Sequence, residues 1–195
     1  MKQATFFAVC IAAFHFSFAR PSYNKIDFSR ETSKDSSAVK IIPSVQVMLQ
    51  EIINVTGLQL NFELKEADVL NIEASVSHQK RYILYNPSFI ARINSLTKDK
   101  WAAMALFAHE VGHHLNGHTI SKSGSSPELE LQADEFAGFI MRKLGATLLQ
   151  SQNVMNLIAK AEESGTHPSK KSRMLAIEKG WNKATSLETA IAANP

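Results

Sequence analysis

Residues 108–114 read Ala-His-Glu-Val-Gly-His-His, which places His109-Glu110-x-x-His113 inside a helical run. Side chains four apart stack on one helix face, so His109 and His113 can aim two imidazoles at a single zinc ion. Glu110, about 100° further round the helix, falls beside that ion rather than on it, where it can hold a water and take its proton. The preceding stretch Trp101–Ala108 is almost wholly apolar and predicts a buried helix. Ionisable side chains prolonging such a helix are costly to bury without partners, which favours ligation over a role as solvated or plain core histidines.

A catalytic zinc needs a third protein ligand and an open fourth position. His118 is close by, but a three-histidine arrangement His-Glu-x-x-His-x-x-Gly-x-x-His would need glycine and histidine where this chain has Asn116 and Thr119. The segment from Ser126 to Asp134 offers acids instead. Its apolar stripe is Leu129, Ala133, Phe136, Ile140 and Leu144, and Glu130 with Asp134 lies one step round from that stripe on a common face. Glu128 is about 200° from Glu130, so the two cannot face one ion. Glu130 is the expected third ligand, and Asp134 the expected acceptor of a ring N–H from a liganding histidine, which fixes its tautomer. The plain alternative is a solvated acidic face. His114 and His118 form a second pair four apart with no glutamate behind it, and are expected to support the site or the fold rather than bind metal.

The elements that must hold these residues follow from periodicity. Val45, Met48, Leu49, Ile52 and Ile53 recur at helical spacing until Gly57. Alternation predicts strands over 58–64 and 70–76 and a third at 82–85, ended by Asn86-Pro87. Helical runs follow at Lys98–Asn116, Pro127–Leu144, Leu148–Glu162 and Pro168–Lys183, with Thr97, Ser126 and Thr147 as N-caps and Gly145 closing the second. The plan is α+β: a small antiparallel or mixed sheet, then a mainly helical C-terminal half that carries the site helix. A single domain is expected over 40–184, with 185–195 as a tail.

Composition narrows the partners. The 195 residues are 45% hydrophobic with a formal charge of +3 and scattered basic residues, which makes no nucleic-acid footprint. One cysteine excludes a disulfide framework and a cysteine-rich zinc module. Met1-Lys2, the apolar run Ala4–Phe18 and Ser17-Phe18-Ala19 before Arg20-Pro21 predict a signal peptide over 1–19, hence export to a periplasm or the exterior. The alternative is a membrane anchor through 4–19, the one case in which membrane contact is expected. Cleavage would remove Cys10. Residues 20–39 are expected to be a flexible leader.

Three motifs, Glu110 and the histidines of HEVGHH at 109–114, ELQAD at 130–134, and Thr166-His167-Pro168 with Arg173, resemble the HtpX-like and CAAX-prenyl-protease-like zinc metallopeptidases. This gluzincin family includes mitochondrial and periplasmic quality-control proteases. The motifs stand in the family's order and the resemblance spans roughly residues 80–181. It implies a zincin-like (minigluzincin) fold and one zinc ion held by His109, His113 and Glu130, with Glu110 activating water. It also implies that His167 donates to the developing oxyanion, unless it merely opens the helix at Pro168. Arg173 would orient the acids, or be surface charge. The implied activity is an endopeptidase acting on exported or misfolded proteins. Its extended polypeptide substrate would pair with Tyr82, Ile83, Leu84 and Tyr85, provided that strand is an exposed edge. The rival is a zinc-stabilised binding protein or chaperone that uses the same groove without cutting.

Overall fold

The computed structural model describes residues 43–120, 126–163, 165 and 167–193. The expected signal peptide, the leader and Thr166 lie outside the described residues. The chain begins with helix α1 (Val45–Thr56), capped by the Ser44 hydroxyl and ended by Gly57 in the left-handed conformation. Strands β1 (Glu63–Glu66), β2 (Ile72–Ser77) and β3 (Lys80–Tyr85) follow. Then come helices α2 (Pro87–Thr97), α3 (Trp101–Leu115), α4 (Pro127–Lys143), α5 (Leu148–Gln152), α6 (Met155–Ile158) and α7 (Lys170–Ala193), with a 3-10 turn at His118–Ile120. The architecture is α+β, with a mixed sheet and a largely helical C-terminal half. No helix among the described residues is long and apolar enough to cross a membrane.

The sheet order is β1-β3-β2, with β1 parallel and β2 antiparallel to β3. The strand at Tyr82–Tyr85 is therefore central, with both backbone edges taken, and it cannot receive the substrate strand that an exposed edge would have allowed. The first strand is shorter than the alternation at 58–64 suggests. Pairing with Tyr82–Tyr85 begins only at Glu63, which leaves Leu58 and Leu60 exposed while Phe62 turns inward.

Pro87 does more than stop a ladder. Asn86 accepts from the N–H groups of Ser88 and Phe89, and Pro87 fills the first helical turn, so the pair opens α2 where no helix was expected. Thr97 is consequently the end of α2 rather than the cap of α3. Lys100 stands at the N-cap of α3, and the Asp99 carboxylate just before it accepts from the Trp101 and Ala102 N–H groups. The run at 148–162 splits into α5 and α6, which lets the consecutive residues Val154 and Met155 both bury. Thr147 forms a reciprocal capping box with Gln150. The final helix runs on through 185–193, where a tail was expected.

Helix α3 is the centre of the molecule, buried from Ala102 to His114, with Met104 and Phe107 fully enclosed by α1, the sheet, α4 and α5. Helices α4 and α7 cross so closely that a Cβ at Gly138 would overlap the Ile177 carbonyl oxygen, and one at Gly180 the Glu135 carbonyl oxygen. This crossing brings the N-terminal part of α7 onto Asp134. Because backbone cannot yield as a side chain can, Gly138→Ala should cost roughly 3 kcal/mol or more. Gly57→Ala meets open space and should cost only about 1 kcal/mol for its left-handed backbone. Chemical denaturation of the two variants checks this, and equal losses would contradict the close crossing.

Candidate metal centre

The helical period of α3 puts His109 and His113 side by side, with their Nε2 atoms 3.0 Å apart. Gly112 lets α4 approach: a Cβ there would lie 3.0 Å from the Phe136 ring and 3.3 Å from the Ala133 backbone. Across that contact Glu130 presents Oε2 at 3.3 Å from His109 Nε2 and Oε1 at 3.6 Å from His113 Nε2. Ligands about 2.0–2.1 Å from a tetrahedral zinc are separated by about 3.3–3.4 Å. The triangle of 3.0, 3.3 and 3.6 Å is therefore the right size for one ion, and these three buried residues form a group able to hold a metal.

The surrounding residues orient the ligands. His109 Nδ1 lies 2.9 Å from Asp134 Oδ1, which leaves Nε2 for the metal as the α4 spacing suggested. Arg173 is buried, not surface charge. Its Nε and Nη2 donate to the two Asp134 oxygens at 2.7 and 2.8 Å, and Nη2 stands 4.0 Å from Glu130. His118 does not pair with His114, because α3 ends at Leu115 and Gly117 (φ 77°) swings the chain round. Its Nδ1 instead meets His113 Nδ1 at 3.0 Å, and its Nε2 meets Gln132 Oε1 at 3.0 Å. His114 is structural. Its Nε2 donates to the Tyr82 carbonyl, Thr119 bonds its Nδ1, and its ring stacks on Phe62. His167 stands half-buried immediately before α7, and Glu128 is exposed, as its place on the far side of α4 requires.

Glu110, one residue along, is buried within electrostatic reach of His109 and Glu130. Its Oε2 accepts from the Ala74 N–H at 2.7 Å. Ala74 lies in β2, an outer strand of the sheet, so the edge that faces the metal group is β2 and not β3. Sequence reasoning missed Ala74 and Gln132. A backbone N–H carries no signature, and a glutamine on the polar side of a helix reads as ordinary surface.

The charges are arranged for a dication. Burial disfavours a charged His109, but the charge and hydrogen bond of Asp134 and the bond to Glu130 outweigh it and push the imidazole up to about 10. Burial pushes Glu110 up to about 8. Burial and the charge on His109 push His113 down to about 3. Burial would raise Glu130 and Asp134, but His109 and Arg173 hold both well below the usual carboxylate range. At neutral pH the metal-free centre thus holds a cationic His109 and Arg173, ionised Glu130 and Asp134, and a neutral Glu110, a net charge of zero. Exchanging the His109 and Glu110 protons for one divalent ion leaves that sum at zero, so the donor set fits such an ion.

Among known protein families, curated proteins and solved structures, the chain matches none.

Both protons sit on groups raised above their ordinary values; a metal must displace the one on His109 Nε2, its charge favours loss of the one on Glu110, and raising the pH helps both. Zinc uptake near pH 7 should release about two protons, and affinity should climb more steeply than tenfold per pH unit below about pH 8. Calorimetry in buffers of different ionisation enthalpy counts the protons; uptake with no proton release would contradict this arrangement.

Proposed function

We propose that this chain is a single-zinc endopeptidase, a zincin-like member of the HtpX-like family, acting on exported or misfolded polypeptides. The observation that carries this reading is Glu110. It adjoins the three-ligand group without belonging to it, and its carboxylate is aimed by the Ala74 N–H. Three protein ligands leave a position for water, unlike the closed four-ligand sets of structural zinc.

What a bound zinc supplies is Lewis acidity, polarising the scissile carbonyl and acidifying water. The protein's own groups do the rest. A nearby cation favours ionised Glu110, so the carboxylate that is neutral in the metal-free centre becomes a base. Glu110 then takes a proton from water and returns it to the leaving amine. Asp134 and Arg173 keep His109 oriented throughout. An extended substrate would lie along the outer side of β2, where the Ala74 backbone already faces the site. His167 is the proposed donor to the oxyanion, and residues 1–19 the proposed export signal.

One observation favours the non-cleaving alternative: His109, Glu110, His113 and Glu130 are each at most 2% exposed, a depth that suits a zinc-stabilised binding protein. Glu110→Gln separates the two. The variant should retain one equivalent of zinc and lose cleavage of an unfolded protein by at least about a hundredfold. Undiminished turnover would contradict the proposed base, and a wild-type protein that binds zinc without cutting would favour the binding role. Glu130→Ala should lose bound zinc; a full zinc complement in that variant would contradict the place of Glu130 as third ligand.

A further inference from the structure

We infer that Gln132, an exposed residue of α4, sets the tautomer of His113 through His118 and is a positioning residue for the metal. The inference rests on the reading of His113 as a ligand through Nε2. It adds that the direction of every hydrogen bond behind that ligand is fixed from the protein surface.

Two ring nitrogens face each other at 3.0 Å, His113 Nδ1 and His118 Nδ1, and only one of them can carry the shared proton. A metal-binding His113 must be bare at Nε2 and therefore protonated at Nδ1. His118 must then be bare at Nδ1 and protonated at Nε2, which needs an acceptor. That acceptor is Gln132 Oε1, 3.0 Å away. The amide is itself held in this sense, because Gln132 Nε2 donates to Glu128 Oε1 at 3.3 Å. Starting from Glu128, each donor and acceptor follows without reference to the metal: Gln132 donates outward and accepts inward, His118 donates to it, and His113 donates to His118. The last step leaves His113 Nε2 as an acceptor lone pair that faces His109 Nε2 at 3.0 Å and Glu130 Oε1 at 3.6 Å. His109 receives the same service from the buried, charged pair of Asp134 and Arg173. His113 receives it from a neutral amide on the surface, which makes it the more easily tuned of the two imidazoles.

Because Gln132 is exposed, its replacements should fold as the wild type does, and thermal unfolding of each metal-free protein checks that they do. The decisive variants differ in hydrogen-bonding sense rather than in size. Gln132→Glu keeps the acceptor and should bind zinc as tightly as the wild type or more so. Gln132→Leu removes the acceptor and should weaken zinc by about tenfold. Gln132→Lys presents only donors, favours the opposed His118 tautomer and should weaken zinc further than Leu does. Affinity is read by chelator competition at fixed neutral pH, and the ring tautomers of the metal-free proteins by nitrogen-15 NMR. The inference requires His118 to be protonated at Nε2 and His113 at Nδ1 in the wild type, and His118 to give up its Nε2 proton in Gln132→Lys, because a protonated His109 Nε2 3.0 Å from His113 Nε2 favours the wild-type His113 tautomer on its own. Equal zinc affinities across the three variants, a proton on His118 Nδ1 of the wild type, or an unchanged His118 tautomer in Gln132→Lys would overturn it. A wild-type protein that binds no zinc would instead contradict the metal reading, and the tautomers would still decide for or against the relay.

Discussion

Asp134 is the group on which the rest of the structure depends. It is fully buried, and its two oxygens are taken by the His109 ring and by two nitrogens of Arg173, so one carboxylate joins α3, α4 and α7. Removing such charges from water costs several kcal/mol per ion, and their attraction repays this only when the geometry is good and every lone pair is used. The net contribution to stability is accordingly small. What the triad fixes is placement: His109 rotates no further than its bond to Asp134 allows, and Arg173 holds Asp134 in turn.

Helix packing delivers the partners to that point. Gly112 admits α4 against α3 and brings Glu130 to the two histidines, while Gly138 and Gly180 admit α7 against α4. On the opposite side the sheet is pinned by side chains of the same helix. His114 holds the central strand through the Tyr82 carbonyl, and Glu110 holds the outer strand through the Ala74 N–H. Helix α3 is thus gripped by hydrogen bonds from both layers. Its ionisable residues account for their own burial, since each has a directed partner or a place in the ligand triangle.

The parts of the site that lie within one helix were legible in the sequence. His109 and His113, four apart, and Glu130 and Asp134, four apart, can share a face only if their segments are helical, and both segments are. The same period keeps Glu128 off the face that Glu130 presents, and Glu128 is exposed. What was not legible depends on contacts between distant segments. The central place of β3 is decided by β1 pairing in parallel with it, and no alternation of side chains reports strand order. The partnership of His118 with His113 rather than His114 follows from the helix ending at Leu115, after which a spacing of four no longer means one face. Pro87 reads as a strand breaker from the alternation before it, yet with Asn86 ahead of it the same proline opens α2. Gln132 gave no signal because its role is set wholly by what folds against it.

The central claim is that His109, His113 and Glu130 together hold one divalent ion beside Glu110. X-ray absorption spectroscopy on the zinc-loaded protein tests it most directly, because it counts and identifies the coordinating atoms. The account predicts one zinc per chain bound by two imidazole nitrogens and by oxygen donors, at about 2.0–2.2 Å. A third imidazole in the coordination sphere, or a chain that takes up no zinc, would contradict it.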